Sequence, residues 1–151
     1  MDRSGADLTQ STCWELLATA TVGRLALSIH AMPTIVPVRY LVDDAAVAIS
    51  LGRPGLPMAT VHDAVVAFAV DDIDEGTATG WMVQMLGVAR LAPSSSPAAD
   101  GPFPFLAPAR ALAPLPAPDD PGPAGVDQVV RLVPGLVTGH RFTLEPFARP
   151  D

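Results

Sequence analysis

Lysine and asparagine are both missing from this 151-residue chain, so every cation is an arginine. A phosphate-cradling P-loop lysine and a Schiff-base lysine are thereby excluded, as is any Asn-linked glycosylation site. The shortage of both residues, beside heavy use of Ala, Pro, Gly and Arg, is what a GC-rich genome produces. Cysteine is nearly absent too. Cys13 stands alone, which rules out an intramolecular disulfide and a cysteine zinc site. No apolar run approaches the roughly 18 residues that a membrane-spanning helix needs. The first residues, Met1 to Asp7, hold no apolar stretch of signal-peptide length, so the expected location is the cytoplasm. Nine basic residues face sixteen acidic ones, a net charge of −7. Such a surface repels phosphate backbones and anionic lipid, which argues against nucleic-acid and membrane partners.

What is present is an apolar, globular pattern that fits one domain over residues 1–151. Residues 8–20 read as a helix capped by Thr9, with Leu8 and Cys13 at the positions of a hydrophobic staple. Cys13, Leu16, Leu17 and Ala20 make one apolar stripe, and Cys13 reads as a buried packing residue rather than a reactive thiol. The period then changes to two. Strands are predicted at Val22–His30, Thr34–Val42 and Ala46–Leu51, joined by tight turns at Ala31-Met32-Pro33 and Asp43-Asp44 into an antiparallel meander. A breaker-rich loop over 52–57 leads to a short helix near Met58–Asp63. An apolar strand follows at Val65–Val70, then a polar loop at Asp71–Gly80.

Trp81–Leu91 alternates, with Trp81, Val83 and Met85 on one face and Met82, Gln84 and Leu86 on the other. From about 93 to 125 the composition turns to Pro, Ala and Gly, which excludes a long helix or a central strand; it reads as a surface insert with polyproline character. A strand at Val126–Val133 and a short segment over Leu136–Leu144 complete the chain. The sum is a mainly β fold, a six-stranded antiparallel split β-barrel with short flanking helices.

Few side chains group into a reactive constellation. His30, His62 and His140 have no zinc-ligand spacing, and the acidic residues of 71–80 lack the spacing of a calcium loop. Ser50, His62 and Asp63 do not amount to a hydrolytic triad, because no Gly-x-Ser-x-Gly elbow occurs and adjacent His and Asp rarely orient one another. Arg39 and Arg90 sit on strands as surface residues, with Arg39 a candidate contact for an anionic ligand.

Four segments in order carry a likeness. They are Leu16-Leu17-Ala18 with Val22-Gly23-Arg24-Leu25; Pro33-Thr34-Ile35-Val36-Pro37-Val38-Arg39-Tyr40; Val65 to Asp74 with Thr79-Gly80-Trp81-Met82-Val83; and Val129-Val130-Arg131-Leu132 with Leu136 to Arg141. In these the chain resembles the pyridoxamine 5'-phosphate oxidase-like family, whose members form a flavin-binding split barrel. The resemblance implies a homodimer with the cofactor in a cleft between subunits, and an oxidoreductase working on a small organic substrate. The implied cofactor is FMN, with a deazaflavin as second choice. No side chain stands out as an obligatory acid or base, so catalytic residues stay unassigned.

The resemblance also exposes a departure. Where family members commonly carry an Arg-Thr pair and a later Lys, this chain has Ser50, Leu51 and Leu56, and the Asn of the Pro-Val-Asn-Tyr strand is Arg39. Losing two cations from a phosphate site costs several kcal/mol at about 1.5–3 per charged hydrogen bond. Arg53, in the same loop, is the expected substitute at the phosphate. The backbone around Ser50 and Leu51 is assigned to the ring edge, with Trp81 and Gln84 near the ring. The rival reading, favoured by the missing cations, is a cofactor-free split-barrel dimer that binds a ligand or partner without chemistry.

Overall fold

The computed structural model describes residues 6–51, 61–91 and 128–147. The insert at about 93–125, Arg53, Leu56 and the first half of the helix expected near Met58–Asp63 lie outside the described residues. The chain opens with helix α1, Gln10–Thr19. Thr9 caps it, its hydroxyl accepting from the Thr12 amide at 3.3 Å. Cys13 and Leu17 are fully buried, with Leu16 and Ala20 beside them against the core, so the apolar stripe read from sequence is the packed face. The preceding segment runs along a distant strand, with Leu8 N donating to Gly139 O and Arg141 N to Ala6 O.

Six strands follow: β1 Val22–Ile29, β2 Met32–Asp43, β3 Ala46–Leu51, β4 Val65–Asp74, β5 Thr79–Leu91 and β6 Gln128–Thr143. They close into a barrel in the order β1-β2-β3-β6-β5-β4, and every pairing is antiparallel. The seam between β1 and β4 is short, running from Arg24 to Ala26.

Three predicted boundaries move, each for a local reason. Met32 and Pro33 belong to β2 rather than the turn, because His30 and Ala31 both take positive φ (50° and 61°) and make a two-residue hairpin turn that continues the strand twist. The polar loop shrinks to a tight turn after Asp74, whose carboxylate accepts from the Gly76 and Thr77 amides, and β4 and β5 extend as one long ribbon. The C-terminal strand and segment are one strand. The register shifts opposite Leu86 and Gly87, where Pro134 meets Gly87. The irregularity lets a residue without an N–H pass through the ladder. There the backbones nearly touch, since a Cβ on Gly87 would lie 2.4 Å from Val133 O.

Alternation sorts the side chains. Leu25, Leu27, Val36, Val38, Tyr40, Val47, Ile49, Phe68, Val83, Met85, Val130 and Leu132 point inward and form the core with Cys13 and Leu17. Burial pushes the Cys13 thiol pKa up, which suits a packing residue rather than a nucleophile. Tyr40 stacks edge-on against Phe68 with ring centroids 4.9 Å apart, and its hydroxyl donates to Leu17 O at 2.6 Å, tying helix to barrel.

Burial pushes the Tyr40 phenol up to about 12. The fold therefore holds the neutral phenol. Its contribution is complete below about pH 10, where the unfolded phenol titrates, and declines as pH rises from there toward about 12. Over that window the parent is expected to lose roughly 2 kcal/mol through this group. Tyr40→Phe should be about 1–2 kcal/mol less stable at neutral pH, because Leu17 O loses its partner. Cys13 titrates in the same sense in both proteins, so the difference between their urea-unfolding profiles isolates the phenol. That difference should shrink above pH 10; a constant difference contradicts the buried neutral hydroxyl.

Candidate functional site

On β2 and β3 the inward residues are apolar, and the outward ones set Arg39 directly opposite Ser50. Ser50 is only 5% exposed although it lies on the outer face, beside Ala46 and Ala48, which are also buried. Among the described residues neither Ser50 Oγ nor Arg39 Nε has a hydrogen-bond partner, and both atoms are buried. The two neighbours do not satisfy each other. A buried polar group left in this state costs about 1–3 kcal/mol.

Three of the other four described arginines have aspartate partners. Among the described residues Arg24 pairs with Asp71, Arg90 with Asp63 at 2.9 Å, and Arg131 with Asp43 at 3.7 Å. Arg39 and Arg141 have no carboxylate partner among the described residues.

The remaining expected site residues divide into two groups. Leu51 turns its side chain into the core, and its backbone sits in register with Gln128 on β6, while Ser50 pairs with Val129 there. Arg39, Ser50 and Leu51 are thus together. Trp81 and Gln84 are on β5, separated from β3 by β6, and they occupy opposite faces of their strand. Trp81 packs partly against the core. Gln84 faces outward between Ala69 and Thr138. One chain therefore does not bring Trp81 and Gln84 to Arg39 and Ser50. Arg53 lies outside the described residues.

Trp81 also lines an open cavity of about 660 Å³ with Asp72, Asp74, Thr79, Gly80 and Arg141 among its walls. The sequence reading placed these acids in a solvated loop. Asp72 and Asp74 share the inward parity of Val66, Phe68 and Val70, so following the alternation past Val70 finds them.

His62 accepts from Leu91 N through Nδ1 at 3.2 Å and lies 3.4 Å from Asp63 through Nε2; both side chains are about half exposed. Their partners are backbone and Arg90, and neither bonds Ser50. Among the described residues no three His, Cys, Asp or Glu side chains group as a metal site. No described helix is long and apolar enough to cross a membrane.

The sheet formed by β4, β5 and β6 has an apolar outer face. Val65, Val88 and Val133 lie side by side across the three strands, and Leu86 and Leu136 form the next row with Ala67. Val65 is 73% exposed and Val133 and Leu136 each 52%. Five aliphatic side chains thus share one exposed face.

Comparison with known proteins agrees with this architecture. Residues 9–141 match the pyridoxamine 5'-phosphate oxidase family. An uncharacterized protein of Mycobacterium tuberculosis is 35% identical over 95 residues, a stretch that spans 58% of this chain and 60% of that protein. A FAD-binding protein of Mesorhizobium loti superposes with a TM-score of 0.73 at 20% identity, covering 93% of this chain and 99% of that one. A FAD-binding protein of Mycobacterium smegmatis gives 0.63 at 23% identity, covering 92% and 99%. At these identities the two structures show the shared fold.

Proposed function

The chain belongs to the pyridoxamine 5'-phosphate oxidase family, and from that premise we propose that it is a flavin-binding homodimer acting as an oxidoreductase on a small organic substrate. The observation that carries this reading is the buried, unpartnered pair of Arg39 Nε and Ser50 Oγ on the outer face of β2 and β3. A cofactor-free protein would bear the cost of both orphaned atoms with no return. The FAD-binding proteins that share the fold support a flavin as the missing group, without deciding between FMN, FAD and a deazaflavin.

A dimer is part of the same reading. Gln84, which faces outward, comes to a flavin seated at Arg39 and Ser50 only from a second copy, and the apolar rows on β4, β5 and β6 supply a face for that copy. A bound flavin supplies the hydride chemistry. The residues of this chain bind and orient it: Arg39 and Ser50 donate hydrogen bonds, and Gln84 offers an amide.

Light scattering on the protein loaded with FMN or FAD and freed of excess ligand tests the arrangement. The expected result is twice the chain mass with one flavin per chain. A monomer, or flavin that elutes separately, sinks the proposal.

A further inference from the structure

We infer that the open end of the barrel holds a second binding site, for a small zwitterion with an ammonium and a carboxylate at its two ends. The site lies apart from Arg39 and Ser50, which face outward on β2 and β3, and it does not depend on a flavin. It is built where the inward rows of β4, β5 and β6 run past the core. The last closed row is Val70, Val83 and Gly139, all buried. Next comes Asp72, Trp81 and Arg141, and beyond it Asp74, Thr79 and Thr143. Directly opposed residues of an antiparallel ladder share a face, so all six turn the same way. They are walls of the open cavity of about 660 Å³. That is the size of a small-molecule site, and the mouth of a β-barrel is a common place for one.

Deeper inward positions are apolar, so a mouth that needed only closing would end on apolar side chains. It ends instead on opposite charges to either side of an indole. Asp72 and Arg141 stand two strands apart, about 10 Å between Cα atoms at the usual strand spacing. Among the described residues they pair neither with each other nor with another charge, whereas Arg24, Arg90 and Arg131 each find an aspartate. Asp74 is already engaged, because its carboxylate accepts from the Gly76 and Thr77 amides.

The cavity therefore presents one carboxylate and one guanidinium of opposite sign, each without a partner among the described residues. A simple amine would leave Arg141 unmatched, and a simple acid would leave Asp72 unmatched. A zwitterion meets both. Its ammonium sits beside Asp72 and against the Trp81 ring, and its carboxylate takes the Arg141 fork. Arg141 is held in place for this, since its amide donates to Ala6 O. The two-strand separation favours a ligand whose charges are spaced by several methylenes over an α-amino acid.

Calorimetric titration of the full chain with glycine, γ-aminobutyrate and ε-aminohexanoate, beside butylamine and butyrate, tests the site. Fluorescence of Trp81 in a Trp14→Phe background, where it is the only indole, gives a second readout. One or both of the longer zwitterions should bind saturably with a Kd of about 1 mM or tighter and change the Trp81 emission. Glycine, butylamine and butyrate should bind at least about tenfold more weakly, each lacking the reach or one charged contact. Asp72→Asn and Arg141→Gln should each lose about tenfold, and Asp72→Glu and Arg141→Lys should recover part of it. Both positions are exposed, so the variants should melt with the parent. Saturating FMN or FAD should leave the affinity within about twofold.

No heat and no change in Trp81 emission with any zwitterion overturns the site and leaves the flavin reading standing. Butylamine or butyrate binding as tightly as the longer zwitterions, or affinity unchanged in Asp72→Asn and Arg141→Gln, makes the row a set of solvated charges and likewise overturns it. Displacement by a flavin gives the cavity to the cofactor and ends the separate site. A chain that takes up no flavin but binds a longer zwitterion keeps this site and ends the flavin reading.

Discussion

Replacing Leu86 and Val133 together by glutamate is expected to give a folded monomer that binds flavin on the order of a hundredfold more weakly. The two side chains occupy adjacent rows of the apolar outer face, beside Leu136 and Val88, and both project into solvent in the single chain. Exposure is why the fold tolerates the change, since surface substitutions away from packed features stay within about 0.5 kcal/mol. A second copy seated on this face would have to bury two carboxylates without partners, which a dimer does not survive. Loss of flavin follows if the partner's β5 completes the site. A hundredfold corresponds to about 3 kcal/mol at 1.4 per tenfold, the size expected for removing one flank of a ring and its polar contact. Light scattering, circular dichroism and flavin titration on the same sample decide the matter. A variant that remains a dimer moves the interface elsewhere. A monomer that binds flavin as the parent does places the whole cofactor within one chain.

Phe68→Ala carries the largest expected cost in stability, about 3–5 kcal/mol. Phe68 is fully buried at the centre of β4, pairs with Leu25 and Met85 on either side, and meets Tyr40 edge to face. The strand backbone beside it is already close, because Gly23 leaves room for the ring that no other residue would: a Cβ there would lie 2.5 Å from two ring atoms. Such a fixed wall relaxes little around a deleted ring, so the cavity contribution stays. Against a typical total of about 5–15 kcal/mol this is a large fraction of the stability. Urea unfolding should show the midpoint falling with little change in slope. A loss below about 1 kcal/mol would mean that the barrel interior is not packed around this residue.

Much of the fold was legible because its strands alternate cleanly. Leu25 and Leu27 against Arg24 and Ser28, and Val83 and Met85 against Gln84 and Leu86, sort inward and outward as the pattern says. The limits of β3 and the Thr9 cap also read directly. Strand ends were harder, for physical reasons. Asp71 to Asp74 look like a turn by composition, yet the ribbon needs no burial at its tip, and one Asp74 carboxylate closes the turn within four residues. Pro134 and Gly135 look like a break, yet a register shift carries the strand past them.

The candidate site was half legible. Sequence singled out Arg39 and Ser50 as departures from the family pattern, but not that they face each other. That fact belongs to the register of β2 on β3. Nor did sequence show that Gln84 lies across the ring of strands from them, which is what makes a second copy part of the proposal.

The central claim, that this family member takes up a flavin, is tested most directly by titrating the purified full-length chain against FMN and FAD while following quenching of flavin fluorescence, beside a visible spectrum of the protein as isolated. The account predicts saturable binding of at least one of the two at one flavin per chain, with a dissociation constant of about 1 μM or tighter. A colourless protein that leaves the fluorescence of both unchanged at saturating concentration contradicts it, and would make the orphaned Arg39 and Ser50 the remnant of a site rather than a working one.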